Sequence, residues 1–102
     1  MRLKPNQIKI AREAAHHCFG ESVKIWLFGS RVDDNVRGGD FDFLIEADLN
    51  AAMLVSGKHH FLIELRRDPD FAEEKIDVVI TSPQLTSAPT IIAIAKQQGI
   101  LL

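Results

Sequence analysis

The chain has 102 residues, 46% of them hydrophobic, and a formal net charge of −2 at pH 7. That length allows one domain with one core, and a charge so near zero supplies no basic field for general polynucleotide binding. The start, Met-Arg-Leu-Lys-Pro-Asn-Gln, lacks an apolar h-region, no apolar run approaches the roughly 20 residues of a membrane span, and the single Cys18 leaves no internal disulfide. The expectation is one cytoplasmic, non-membrane domain over residues 1–102, with nucleic acid disfavoured as a partner.

Ile8, Ala11, Ala15 and Cys18 or Phe19 recur at three- and four-residue intervals between Pro5 and Gly20. This spacing predicts an amphipathic helix over about residues 5–18. Val23 to Phe28 is short, β-branched and aromatic, hence a first and mostly buried strand. Gly29-Ser30-Arg31-Val32 opens a short helix, and Asp33-Asp34-Asn35 forms a polar turn. Gly38-Gly39 then breaks the chain ahead of a second strand, Asp40 to Glu46. Alternation there sends Asp40 and Asp42 to one face and Phe41, Phe43 and Ile45 to the other.

Met53, Leu54, Phe61, Leu62 and Leu65 fit a helical stripe over about residues 50–66, with Gly57 a weak point inside it. Arg67 to Glu74 reads as a polar loop holding at most one helical turn. Lys75 to Thr81 is a third strand, with Ile76, Val78 and Ile80 on one face and Asp77 and Val79 on the other. Ser87-Ala-Pro-Thr starts a last helix through Lys96, and Gly99 stops it. The order α-β-α-β-α-β-α gives an α/β (α+β) domain, three strands flanked by about four helices.

Asp40 and Asp42 on one face repel each other. At about 4 Å the repulsion is roughly 1 kcal/mol in water and about 4 kcal/mol at an intermediate dielectric. Such a pair is either left in solvent or neutralised, and a divalent cation is the obvious neutraliser. Gly29-Ser30, shortly before, offers backbone N–H groups to an anion. If the second and third strands adjoin, Asp77 brings a third carboxylate to the same end. Three carboxylates around two Mg²⁺ ions, beside an anion-binding turn, are what in-line nucleotidyl transfer from a nucleoside triphosphate needs.

Other features carry less. Each acid alone reads as a solvated residue on a half-exposed strand. Arg31, following Ser30, is in reach of phosphate oxygens and Arg37 less so, with an ordinary surface arginine the alternative for both. Asp33-x-Asn35-x-Arg37-Gly38 starts like an EF-hand loop but has Leu44 where the closing Glu belongs. The pairs His16-His17 and His59-His60 sit on helices, where neighbours point about 100° apart and chelate one ion poorly. Cys18 reads as a small core hydrophobe and Trp26 as core.

Leu27-Phe28-Gly29-Ser30, nine residues, then Asp40-Phe41-Asp42-Phe43, with Asp77 in a later strand, resembles the signature of the polymerase-β-type nucleotidyltransferase superfamily. More narrowly it is similar to the minimal nucleotidyltransferase branch, small prokaryotic proteins paired with HEPN-domain partners as toxin–antitoxin systems. The resemblance spans residues 23–81. It departs in having Gly39 where Ser is common before the first acid, and nine intervening residues where ten are common. The resemblance implies a polymerase-β-like fold with a three-stranded mixed sheet. It implies catalytic metal ligands at Asp40, Asp42 and Asp77 for two Mg²⁺ ions, and triphosphate binding at Gly29 and Ser30, to which Arg31 is added by position. It further implies an antitoxin that transfers AMP from ATP to a tyrosine hydroxyl of the HEPN partner. One helix follows Asp77, too little for an acceptor pocket, which favours an acceptor on another protein over an antibiotic or tRNA. The rival reading is a catalytically silent docking module that restrains a partner by complex formation. Ile91, Ile92 and Ile94 exceed what one core face needs and hint at a partner or homo-oligomer surface.

Overall fold

In the computed structural model, which describes residues 3–32, 39–84 and 90–102, Pro5 opens helix α1 (Pro5–Phe19) at the position where its missing N–H costs nothing. Gln7 accepts the Lys4 N–H at 2.9 Å and donates from Nε2 to the Asp70 carbonyl at 3.0 Å, tying the start of α1 to the 67–74 segment. Strand β1 (Lys24–Phe28) runs into a 3₁₀ turn at Gly29–Val32. Strand β2 (Phe41–Glu46) leads to α2 (Ala51–Arg66), whose N-cap Asn50 accepts the Met53 N–H at 2.9 Å. Strand β3 (Ile76–Thr81), α3 (Thr90–Gln98) and β4 (Ile100–Leu101) follow.

The sheet order is β3-β2-β1-β4. β1 is antiparallel to β2 and to β4, and β2 is parallel to β3. On one face Ile25, Leu27, Phe41, Phe43, Ile45 and Val78 pack against the alanines of α1 and against Leu54, Phe61 and Leu65 of α2. The aromatic rings interlock: Phe41 meets Phe71 edge-on at 5.1 Å, and Phe43 meets Phe61 at 6.0 Å. Full burial of each such side chain contributes about 2–3 kcal/mol. On the other face Leu44 is covered by Ile92 and Ala95 of α3, with Trp26, Phe28 and Val79 alongside. Covered on both faces, β2 is buried at four of its six positions; only its two acids are not fully enclosed.

The mixed α+β class agrees with the sequence, but the element counts do not. Among the described residues the sheet has four strands, not three. Ile100–Leu101 is too short to show alternation, yet it pairs with Leu27 and Trp26, and the Leu102 N–H donates to the Ile25 carbonyl at 2.9 Å. Among the described residues there are three α-helices, not four, because Gly29–Val32, expected to open a helix, closes as a 3₁₀ turn. The loop expected to be polar hides Phe71, fully buried, with the Arg66 guanidinium donating to the Glu74 carbonyl at 2.6 Å. Gly57 is no weak point: a Cβ there would lie 2.7 Å from the Phe19 ring, so its bare backbone lets α1 and α2 approach. Asp33-Asp34-Asn35, Arg37, Gly38 and the 87–89 start of the last helix lie outside the described residues. Among the described residues, no helix is long and apolar enough to cross a membrane.

Candidate active site

Phe41 and Phe43 are fully buried, and their alternation with acids turns Asp40 and Asp42 to the opposite side of β2. Asp42 stands opposite Phe28 of β1 and, on its other flank, opposite Asp77 of β3. Phe28, Asp42 and Asp77 therefore form one row across three strands. Neighbours in such a row are about 5 Å apart, so two carboxylates confront each other there. The strands are fastened beside them by the Phe41 N–H, which donates to the Lys75 carbonyl at 2.9 Å.

Electrostatics follow from that crowding. Burial raises the Asp42 carboxyl above its usual range, and the charges of Asp77 and Asp40 raise it further, against a lowering by Lys75. Lys75 lies two residues before Asp77, on the same face, and its Nζ is 3.5 Å from Asp40 Oδ2. Among the described residues it is the cation paired with these acids, and the period-two pattern of β3 could have located it from sequence. The Phe28 side of the row follows from the antiparallel pairing of β1 with β2.

Gly29 explains its own identity. Its φ is +77°, in the left-handed region that side chains disfavour, and a Cβ there would run into the Asp42 carboxylate. The turn backbone thus lies directly against the central acid. The Ser30 side chain is outside the described residues; its backbone belongs to the same 3₁₀ turn. Arg31 is turned inward, its side chain 16% exposed, with its guanidinium 3.9 Å above the centre of the Phe41 ring. Its Nη2 donates to the Gly39 carbonyl at 3.1 Å and lies 3.6 Å from Glu74 Oε2.

The three acids share one edge without closing on one point. Among the described residues, no three His, Cys, Asp or Glu side chains are gathered tightly enough to hold an ion as they stand. The donor chemistry nevertheless fits a hard divalent cation: all-oxygen ligands, mutual repulsion awaiting neutralisation, and a glycine cradle that a Cβ would fill. The histidines serve elsewhere. His17 Nδ1 pairs with Glu64 at 2.8 Å, which raises the imidazole above its ordinary value, and His59 and His60 are exposed. Cys18, half-buried, has its thiol pushed up to about 11 by burial and by the Glu64 carboxylate. No protein-family model matches the chain, and no curated protein matches it.

Proposed function

We propose that the chain is a Mg²⁺-dependent nucleotidyltransferase that moves AMP from ATP to a hydroxyl of a partner protein. The partner we propose is a HEPN-domain toxin, which makes this chain its antitoxin in the cytoplasm. The observation that carries the reading is the row in which Asp42 faces Asp77 against the bare backbone of Gly29. Asp40 and Asp42 would hold two Mg²⁺ ions, with Asp77 on the acceptor side. When bound, such ions lower the pKa of an attacking hydroxyl and offset charge on a leaving pyrophosphate. The Gly29–Ser30 turn supplies backbone N–H groups beside the acids for the triphosphate. Lys75 offsets part of the negative charge at Asp40. Proton acceptance from the hydroxyl falls to the Asp77 carboxylate, the exposed acid of the row.

The test is incubation with α-labelled ATP and Mg²⁺, alone and with the product of the neighbouring reading frame, beside an Asp40→Asn/Asp42→Asn control. Label on the partner that disappears in the control supports protein AMP transfer and identifies the acceptor. A stable complex without label in either arm transfers the reading to a silent docking module.

A further inference from the structure

Arg31 touches three segments at once. It follows Ser30 in the 3₁₀ turn, donates to the carbonyl of Gly39, and pairs with Glu74. Gly39 is the residue before Asp40, and Glu74 the residue before Lys75, itself two before Asp77. The guanidinium plane also covers Phe41, the fully buried residue between Asp40 and Asp42. Every segment that carries part of the acidic edge is thereby in contact with this one side chain. A planar, permanently charged fork with several donors suits such a junction, where a lysine's point charge would not.

We infer that Arg31 is a positioning residue, which locks the Gly29–Ser30 turn to the approaches of β2 and β3 and so fixes the three acids relative to one another. It acts through backbone and through Phe41 rather than by gripping phosphate. Its consequence for catalysis rests on the nucleotidyltransferase reading; its consequence for the structure does not. Glu74 shares the task, because its carboxylate lies against the same Nη2 that donates to Gly39.

The variants are Arg31→Lys, which keeps the charge and loses the planar fork, and Glu74→Gln, which alters only the clamp. Each is followed by Mn²⁺ affinity from electron paramagnetic resonance, by ATP KM and kcat, and by amide hydrogen exchange. Expected for both variants is Mn²⁺ binding weakened about tenfold, the low end for residues that orient ligands without touching the metal. kcat should fall alongside, with ATP KM unchanged, and exchange at Phe41 and Asp77 should quicken. A raised ATP KM in Arg31→Lys alone, with Mn²⁺ affinity and the Glu74 variant at wild-type values, overturns the inference and makes Arg31 a phosphate ligand. If the wild type neither binds Mn²⁺ nor transfers AMP, the enzyme reading fails on its own. The clamp then stands or falls on exchange: faster amides at Phe41 and Asp77 in both variants uphold it, and unchanged amides refute it.

Discussion

Asp42→Asn should make the protein more stable at neutral pH while removing its capacity for metal. Asp42 and Asp77 sit opposite each other on adjacent strands. At about 5 Å, two unit charges repel by roughly 0.8 kcal/mol in water and about 3 kcal/mol at a dielectric near 20. Asp42 is only partly exposed and Lys75 offsets some of the repulsion, so a gain of about 1–2 kcal/mol is expected. For a domain of 102 residues each kcal/mol is worth roughly 4–8 °C in Tm. The pH dependence has a definite sign. The carboxyl is raised in the fold, so between its ordinary value near 3.8 and the raised one the native state holds more protons than the unfolded chain. Wild-type stability is therefore lost as pH climbs through that window, and the advantage of Asp42→Asn grows over the same interval and vanishes below it. Thermal unfolding of both proteins from pH 3 to 8, with and without Mg²⁺, reads this directly. A saturating cation, at about 100 times its Kd, should add about 2.7 kcal/mol to the wild type and nothing to the variant. An Asp42→Asn protein no more stable than wild type, with a difference flat across pH, would refute the repulsion and the crowded edge with it.

Gly29→Ala should cost about 1–2 kcal/mol for the left-handed backbone alone, and should also displace the Asp42 carboxylate, so Mn²⁺ affinity falls together with the urea midpoint. Gly57→Ala gains about 1 kcal/mol of helix propensity but drives a methyl into Phe19, and overpacking of about 1–3 kcal/mol makes it a net loss. In a Phe19→Ala background the loss should shrink to what the Cys18 carbonyl, 3.0 Å from the new methyl, still imposes, which a double-mutant cycle by urea unfolding checks. Cys18, with its thiol near 11 against an ordinary 9.0, should carry roughly a hundredfold less thiolate at pH 8 than a free cysteine. Alkylation rates by mass spectrometry should show that deficit, and Glu64→Gln should shrink it.

Period and punctuation made much of this molecule legible. The apolar alternation of residues 40–46 and 75–81 is what a strand with one face on a core requires, and Phe41, Phe43, Ile76 and Val78 are found there. Adjacency of β2 and β3 was conditional, because no local pattern specifies which strands pair. Ile100–Leu101 carries no sequence signal, since two residues have no period and their pairing is set by β1 rather than by themselves. Phe71 was hidden by polar neighbours that face outward while one ring turns in. Helix propensity is local and marks Gly57 as a weak point, whereas its reason is a ring on another helix. Arg31 shows the same limit: proximity to Ser30 suggests phosphate, while its contacts with Gly39, Phe41 and Glu74 are set by how β2 and the 67–74 segment fold back on the turn.

The parallel pairing of β2 with β3 has a consequence for how the protein is made. Asp42 and Asp77 are 35 residues apart along the chain and meet only when α2 has closed the loop between their strands. Such a closure costs about 3 kcal/mol of chain entropy before any contact rewards it. The two carboxylates oppose it as well. The third carboxylate therefore joins the edge only with the β2–β3 pairing itself, and a chain in which those strands are unpaired holds Asp40 and Asp42 without Asp77.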